Sequence, residues 1–248
     1  MLFGALVFSA VAACAGPALA DPRLDEIVYQ PYVQNGVGEL ELRHGQQVGG
    51  ATNGELTTVV EAAYGLNDRV SLSLVGAVHR DAGGPLIADR VGLESIVYLG
   101  QLPRLGVDTG LYLEYTHGLN GATDVLEGKL LMARSAGRFQ GLVNLIVEEP
   151  LGAPRGEGFA SYGYAASATW RTVGKLRLGL EAFGDLGDDH RALGRQGAYV
   201  GPQLKWEFRP CGAPAEVELD LGWLAAVGTD RAEARSQFRI GLEFEHHF

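Results

Sequence analysis

Apolar side chains recur at every second position along most of this chain, most clearly in its last stretch, SQFRIGLEFEHHF. Phe238, Ile240, Leu242 and Phe244 fall on one phase of that stretch, and charged or polar residues fill the other. The same alternation marks GELELRHG, RVSLSLVGAV, GLYLEYTHG, KLRLGLEAFGD and AEVELDLGWL. A period of two is that of a β-strand whose two faces meet different surroundings. Since no long stretch keeps a helical period, the pattern predicts an all-β fold.

Less regular strands fill the intervals between these segments, and with them the total reaches about twelve. They are predicted at 55–64, 90–99, 125–134, 139–148, 161–171 and 198–208. Tight turns such as GLND, SAGR and RTVG alternate with connections that are mostly longer and polar. Outer-membrane barrels have an even number of antiparallel strands, with short periplasmic turns and longer outer loops. The sequence therefore predicts a transmembrane antiparallel up-and-down β-barrel over residues 38–248.

Alternation also occurs in soluble β-sandwiches, so two further features decide between the folds. The polar phase carries many carboxylates, and aromatic residues stand near strand ends on the apolar phase. Those aromatic residues are Tyr64, Tyr115, Tyr162, Trp170, Trp206, Phe208, Trp223, Phe244 and Phe248. Because backbone amides cannot stay unpaired in hydrocarbon, a membrane sheet must close on itself. A soluble periplasmic sandwich is the alternative, and it would bury Leu178, Leu219 and Leu242 between stacked layers.

The first residues form a separate segment. An apolar run followed by Ala18 to Ala20 predicts a signal peptide over residues 1–20. A lipobox-like VAAC, which would make Cys14 a lipidated terminus, is the other interpretation. Cleavage after Ala20 leaves Cys211 as the sole cysteine, which excludes an intrachain disulfide. Residues 21–37 alternate weakly and are predicted to form either a periplasmic N-terminal segment or a lumen plug.

Charge and hydropathy limit the partners of the chain. The formal net charge is -10 and the mean hydropathy is +0.04. Nucleic acid is not an expected partner, because phosphate binding requires clustered Lys and Arg. The mean hydropathy is far too low for a helical membrane bundle but suits a barrel, in which only alternate residues face lipid. The expected partners are outer-membrane lipid, a small-molecule solute, and the barrel assembly machinery through the terminal strand that ends at Phe248.

A family resemblance narrows the expectation. The phrases AAYGLNDRVSLSL, TGLYLEYTHG and GRFQGLVNLIVEE resemble uncharacterised transporter-like outer-membrane barrels that are grouped with the meta-pathway phenol-degradation proteins. The resemblance implies passage of small hydrophobic or aromatic compounds. We therefore expect a channel or passive transporter for a small solute. The alternatives are a lipid-modifying enzyme of the outer membrane and a non-transporting structural barrel.

Motifs for catalysis or metal binding are weak. None of the six His residues stands in an H-x-S pair, and GDLGDDHR is interpreted as a solvated loop rather than a Ca²⁺ site. No enzyme activity, metal or cofactor is therefore expected. A lipid-facing Ser and His in contact would favour the enzyme instead.

Charged residues on the polar phase are the predicted functional set. Inside a barrel they would pair across neighbouring strands, either for structure alone or as a selectivity region for cations or neutral polar solutes. The predicted lumen-lining residues are Glu41, Arg43, Glu61, Glu94, Glu114, Glu127, Lys129, Arg177, Glu181, Arg239 and Glu243.

Overall fold

A computed structural model describes residues 24–152, 159–190, 197–210 and 215–248. The predicted signal peptide, Cys14 and Cys211 lie outside these ranges.

Twelve antiparallel strands form one closed barrel in which each strand pairs with its neighbours in sequence, and β1 pairs with β12. The strands are β1 Val37–Gly50, β2 Leu56–Asn67, β3 Val70–Arg80, β4 Ile87–Leu102, β5 Val107–Gly118, β6 Asp124–Ala136, β7 Phe139–Leu151, β8 Ser161–Arg171, β9 Leu176–Asp188, β10 Gly197–Phe208, β11 Glu216–Gly228 and β12 Ala234–His247. A short 3₁₀ helix, Thr229–Ala232, precedes β12. The predicted fold class is confirmed.

Strand register follows the apolar alternation. Across β11 and β12, Leu219 lies opposite Leu242, and Glu218 lies opposite Glu243. The closing pair of β1 and β12 places Leu42 opposite Leu242 as well. Because a slip of one residue would turn every side chain to the other face, this matching fixes the register around the barrel.

The outer surface of the barrel is apolar. Leu74, Leu180 and Leu40 are 66%, 59% and 52% exposed. Leu178, which a sandwich would bury, is 45% exposed, and Leu42, which lies opposite Leu242 in the closing strand pair, is 43% exposed. Each exposed Leu forgoes about 1.5–3 kcal/mol of burial in water, so such a belt is stable only against hydrocarbon. This observation excludes the sandwich.

The two ends of the barrel differ in their connections. At one end, which we call the short-turn end, lie the first residues of β1, the last residues of β12 and the turns that follow β2, β4, β6, β8 and β10. Asn67 builds one of these turns by accepting hydrogen bonds from the backbone N–H groups of Arg69 and Val70, at 2.8 and 3.0 Å. The opposite end is the long-loop end. Within the described ranges, no helix has the length and apolar character needed to cross a bilayer.

Candidate functional site: the barrel lumen

Residues 24–36, which we call the N-terminal segment, lie inside the barrel, with residue 36 at the short-turn end and residue 24 towards the long-loop end. The carbonyl oxygen of Gln34 lies where a Cβ of Gly65 would stand, at 1.8 Å from that position. Further along, the carbonyl oxygen of Leu24 lies 1.9 Å from the Cβ position of Gly45. Leu24 itself is only 1% exposed. The segment therefore passes directly over wall positions where glycine leaves room for its backbone.

Tyr29 anchors the middle of the segment. Asn144 of β7, which is fully buried, donates to the Tyr29 carbonyl oxygen at 3.0 Å and accepts from the Tyr29 N–H at 2.7 Å. The Tyr29 ring packs 4.6 Å from that of Tyr112, and its hydroxyl accepts a hydrogen bond from Arg43. Since both main-chain groups of Tyr29 have specific partners, the wall holds this residue in one position.

A buried ion-pair cluster holds the next part of the segment. The ammonium of Lys129 lies 2.6 Å from a carboxylate oxygen of Glu26 and 3.0 Å from one of Glu127. The same ammonium lies 4.7 Å above the ring of Tyr29, within the range of a cation–π interaction. Because all three charged side chains are at least nine-tenths buried, removing one partner would leave an uncompensated charge. Nearer the long-loop end, Asp25 contacts Arg90.

Apolar packing fills the lumen beside this cluster. Val28 of the segment belongs to a buried group with inward side chains of the wall, including Leu142, Phe183, Tyr199 and Leu224. These four wall residues are between 0% and 3% exposed. The centre of the barrel is therefore a packed core rather than an open bore, as in small barrels whose interior is filled by side chains.

Carboxylates cover part of the barrel wall in the short-turn half. This part of the wall lies on the side of the N-terminal segment that faces away from the packed group. The register places Glu61, Glu41, Glu243, Glu218 and Glu207 side by side on consecutive strands from β2 through β1 to β10. A second row joins Glu39, Glu245 and Glu216 in the same manner. We call these eight residues the acidic wall. Like charges directly opposite each other are destabilising, so the wall needs counter-ions or cationic partners.

Lysine side chains neutralise only part of the acidic wall. Lys205 lies 3.1 Å from Glu218, and Lys175 lies 3.0 Å from Glu207. Within the described residues, Glu39, Glu243 and Glu245 have no ion pair, and carboxylate oxygens of the three come within 4.8 Å of one another. These three carboxyl groups therefore lack a cationic partner in the part of the chain that the structure describes.

A cavity of about 430 Å³ lies between the acidic wall and the N-terminal segment. Tyr29, Gln30 and Tyr32 form its inner side, and Glu39 and Glu243 are among the residues opposite. The cavity thus provides a water-accessible region on one side of the segment, while the lumen on the other side is packed.

The structure brings most of the predicted lumen-lining residues into two groups. Arg43 lies 3.1 Å from Glu61, 3.8 Å from Glu94 and 3.8 Å from Glu41, and this group surrounds the Tyr29 hydroxyl. Glu127 and Lys129 belong to the Glu26 cluster. The remaining side chains are placed separately: Glu114 accepts from Tyr112 at 2.8 Å, Glu181 accepts from Gln203 at 3.3 Å, Arg239 stacks 4.0 Å from the Phe183 ring, and Glu243 lines the cavity.

Arg177 differs from the expected cross-strand charge pairing. Within the described residues it forms no ion pair, and it donates a hydrogen bond of 3.4 Å to the Thr169 hydroxyl. Glu26, Tyr29 and Asn144 were not in the predicted set. Residues 21–37 alternate too weakly to assign a face, and nothing in the sequence around Asn144 indicates that it binds a main chain 115 residues away.

The contacts of the histidine side chains are relevant to the alternative that the protein is a lipid-modifying enzyme. His44 lies 2.8 Å from the Thr58 hydroxyl on the lipid-facing phase, and His79 lies 3.0 Å from the Thr57 hydroxyl on the inward phase. Among the described residues no Ser hydroxyl contacts a His, and His44 has no carboxylate partner that would orient its ring. The feature that would favour lipid-modifying chemistry is thus not found in this part of the chain.

Comparison with known proteins identifies the class of fold. No protein-family model matches the sequence, and no curated protein matches it. An outer membrane channel from Pseudomonas putida F1 superposes with a TM-score of 0.58 at 13% identity, over 92% of this chain and 99% of that one. The NanC porin gives 0.56 at 11% identity, over 83% and 98% of the two chains. The KdgM porin gives 0.53 at 9% identity, over 85% and 99%.

These likenesses show that the chain has the fold of a closed membrane-type β-barrel. Within this fold, the lumen of the chain holds an anchored N-terminal segment, a packed centre and an acidic wall.

Proposed function

We propose that the protein is an outer-membrane channel that passively transfers a small solute. The exposed apolar belt supports the membrane location, and the solved structures that share the fold are an outer membrane channel and porins by description. In this orientation the short-turn end faces the periplasm and the long-loop end faces outward.

The observation that carries the proposal is the cavity between the acidic wall and the N-terminal segment. Its volume of about 430 Å³ suits small solutes, and the uncompensated carboxylates of Glu39, Glu243 and Glu245 line it. Rings and rows of Asp and Glu favour cations over anions in pores. The preferred solutes are therefore small cations and uncharged molecules, and anions are excluded.

Small aromatic compounds are the finer class of uncharged solute that we propose. The resemblance to barrels grouped with phenol-degradation proteins points to this class, and the Tyr29 side of the cavity offers it a ring surface. The test is liposome flux of a neutral phenol against a neutral sugar of similar size. Faster entry of the sugar would contradict the aromatic preference without affecting the channel itself.

The charge preference is tested by reversal potentials in planar bilayers under a KCl gradient. The variant Glu39→Gln/Glu243→Gln/Glu245→Gln should lose most of the cation preference of the wild type. Glu149→Gln, which removes an exposed carboxylate at the opposite end, should leave the preference unchanged. Folded protein that gives no current steps would refute the channel, while an anion preference would refute only the role of the wall.

A non-transporting structural barrel is the second candidate, because the packed centre and the Lys129 cluster block the direct path through the lumen. A variant that lacks residues 24–32 separates the two functions. If the wild type conducts only rarely and the shortened barrel conducts steadily, the segment regulates a channel. A shortened barrel that remains silent would favour the structural role.

We further propose that the barrel assembly machinery recognises the terminal strand. Phe248 is 84% exposed at the end of the chain, and its ring packs 6.2 Å from that of Tyr64 at the edge of the apolar belt. An exposed aromatic terminus in phase with the lipid-facing side is available to a partner before the sheet closes.

A further inference from the structure

A row of arginines lies along the rim of the short-turn end. Arg69 lies in the turn after β2, Arg104 in the turn after β4, and Arg138 in the turn after β6. Arg134 and Arg171 are near the ends of β6 and β8 at the same rim. We call these five residues the arginine arc. It follows four successive turns, so it covers the part of the rim that the acidic wall leaves uncovered.

All five side chains of the arginine arc are exposed. None of them forms an ion pair with any residue in the part of the chain that the structure describes. Two other basic residues at this rim differ, because Lys175 pairs with Glu207 and Arg209 lies 3.1 Å from Glu216. Arg177 in β9 also lacks an ion pair among the described residues, but it is half-buried and bonds the Thr169 hydroxyl, so the exposed guanidinium groups without an ion pair at this rim are those of the arc.

Exposed apolar side chains accompany the arc at each turn. Leu66 is 50% exposed near Arg69, Leu105 is 60% exposed beside Arg104, and Trp170 is 53% exposed beside Arg171. Arg134 itself lies on the outward phase of β6, two residues beyond the outward Met132. An arginine at the edge of an apolar belt lays its methylene groups on that belt and directs its guanidinium to the headgroup layer.

We propose that the arginine arc binds the phosphates of anionic phospholipids in the leaflet that surrounds the short-turn end. A guanidinium forms paired hydrogen bonds to phosphate oxygens, and an anionic leaflet attracts basic residues close to its surface. The outward phase of Arg134 favours lipid over a soluble partner, since lipid covers that face of a membrane barrel.

This inference rests on the membrane location proposed above, and the experiment separates the two. Full-length protein is reconstituted in phosphatidylcholine vesicles that contain increasing fractions of phosphatidylglycerol with brominated chains. Bromine quenches the outward Trp170 and Trp206, so the quenching reports the affinity of phosphatidylglycerol relative to phosphatidylcholine. Protein that folds but does not enter vesicles contradicts the membrane location, whereas inserted protein without a lipid preference contradicts the arc alone.

The matched variants remove two positive charges each. Arg138→Gln/Arg171→Gln, beside Trp170, should lower the relative affinity for phosphatidylglycerol by about fivefold or more. Arg231→Gln/Arg235→Gln, at the long-loop end, should keep the wild-type preference. Equal losses in both variants would overturn the proposal. The proposal would also be overturned if the first variant kept the wild-type lipid preference but no longer bound isolated peptidoglycan. That result would show that the arc binds the cell wall.

Discussion

Replacing Asn144 with Leu should release the N-terminal segment from the barrel wall. Asn144 makes both of its hydrogen bonds to the main chain of Tyr29, at 2.7 and 3.0 Å, and it is fully buried. Leu has a similar volume and no polar atoms, so the substitution removes the two bonds with little change in packing. It leaves the N–H and the carbonyl oxygen of Tyr29 without partners in the docked state.

The magnitude follows from the two lost hydrogen bonds. A neutral hydrogen bond contributes about 1 kcal/mol net, and an orphaned buried group costs about 1–3 kcal/mol. Two bonds thus weaken docking by about 2–4 kcal/mol, which corresponds to a shift of about 30- to 1000-fold towards the released state. Hydrogen exchange of the Tyr29 amide should accelerate by that factor, and channel openings in planar bilayers should become correspondingly more frequent.

Gln203→Leu is the matched control. Gln203 is a buried lumen amide of β10 that hydrogen-bonds Ser167, Glu181 and Asp220, and it has no hydrogen bond to the N-terminal segment. Its substitution should therefore destabilise the wall without releasing the segment. Unchanged exchange at Tyr29 in the Asn144 variant, or equal acceleration in both variants, would show that Asn144 does not hold the segment.

Three further substitutions test the lumen and the terminal strand. Gly45→Ala should displace the N-terminal segment and raise conductance, because the new Cβ would lie 1.9 Å from a carbonyl oxygen of the segment. Gly76→Ala is the control and should leave conductance unchanged, because its Cβ position has open space around it. Lys129→Met should lower the unfolding free energy in detergent by about 3–5 kcal/mol, since it strands two buried carboxylates, while Lys175→Met at a half-exposed pair should change it little. Phe248→Ala should reduce the fraction of heat-resistant folded barrel in isolated membranes, and Phe248→Tyr should restore it; equal folding of both would contradict the role of the aromatic terminus.

The fold could be predicted because strand periodicity is local. Leu219 and Leu242 reveal their lipid-facing phase through their immediate neighbours, and the tight turns mark where each pair of strands reverses. The closing pair of β1 and β12 could be anticipated as well, because a strand sheet in a bilayer leaves no edge unpaired.

The lumen could be predicted only in part, because its contacts join distant parts of the chain. The phase of a strand shows that Glu127 and Lys129 point inward together, which their observed pairing reflects. Strand periodicity does not predict that Glu26 pairs with Lys129, because Glu26 precedes the first strand. It does not predict that Asn144 binds Tyr29 either, because a main-chain partner has no sequence signature. The acidic wall likewise emerges only when the register aligns glutamates from five strands.

The pairing of β1 with β12 has a consequence for the order of assembly. Strand β1 is the first to be made and its partner is the last, so β1 waits with one edge unsatisfied while the other strands form. The N-terminal segment directly precedes β1 and lies within the finished ring. The segment must therefore enter the barrel before β1 pairs with β12, or pass along the barrel axis afterwards. The glycines of the wall leave room for its backbone, which favours entry before closure. In that order of events, the segment covers the interior of the barrel while the sheet is still incomplete.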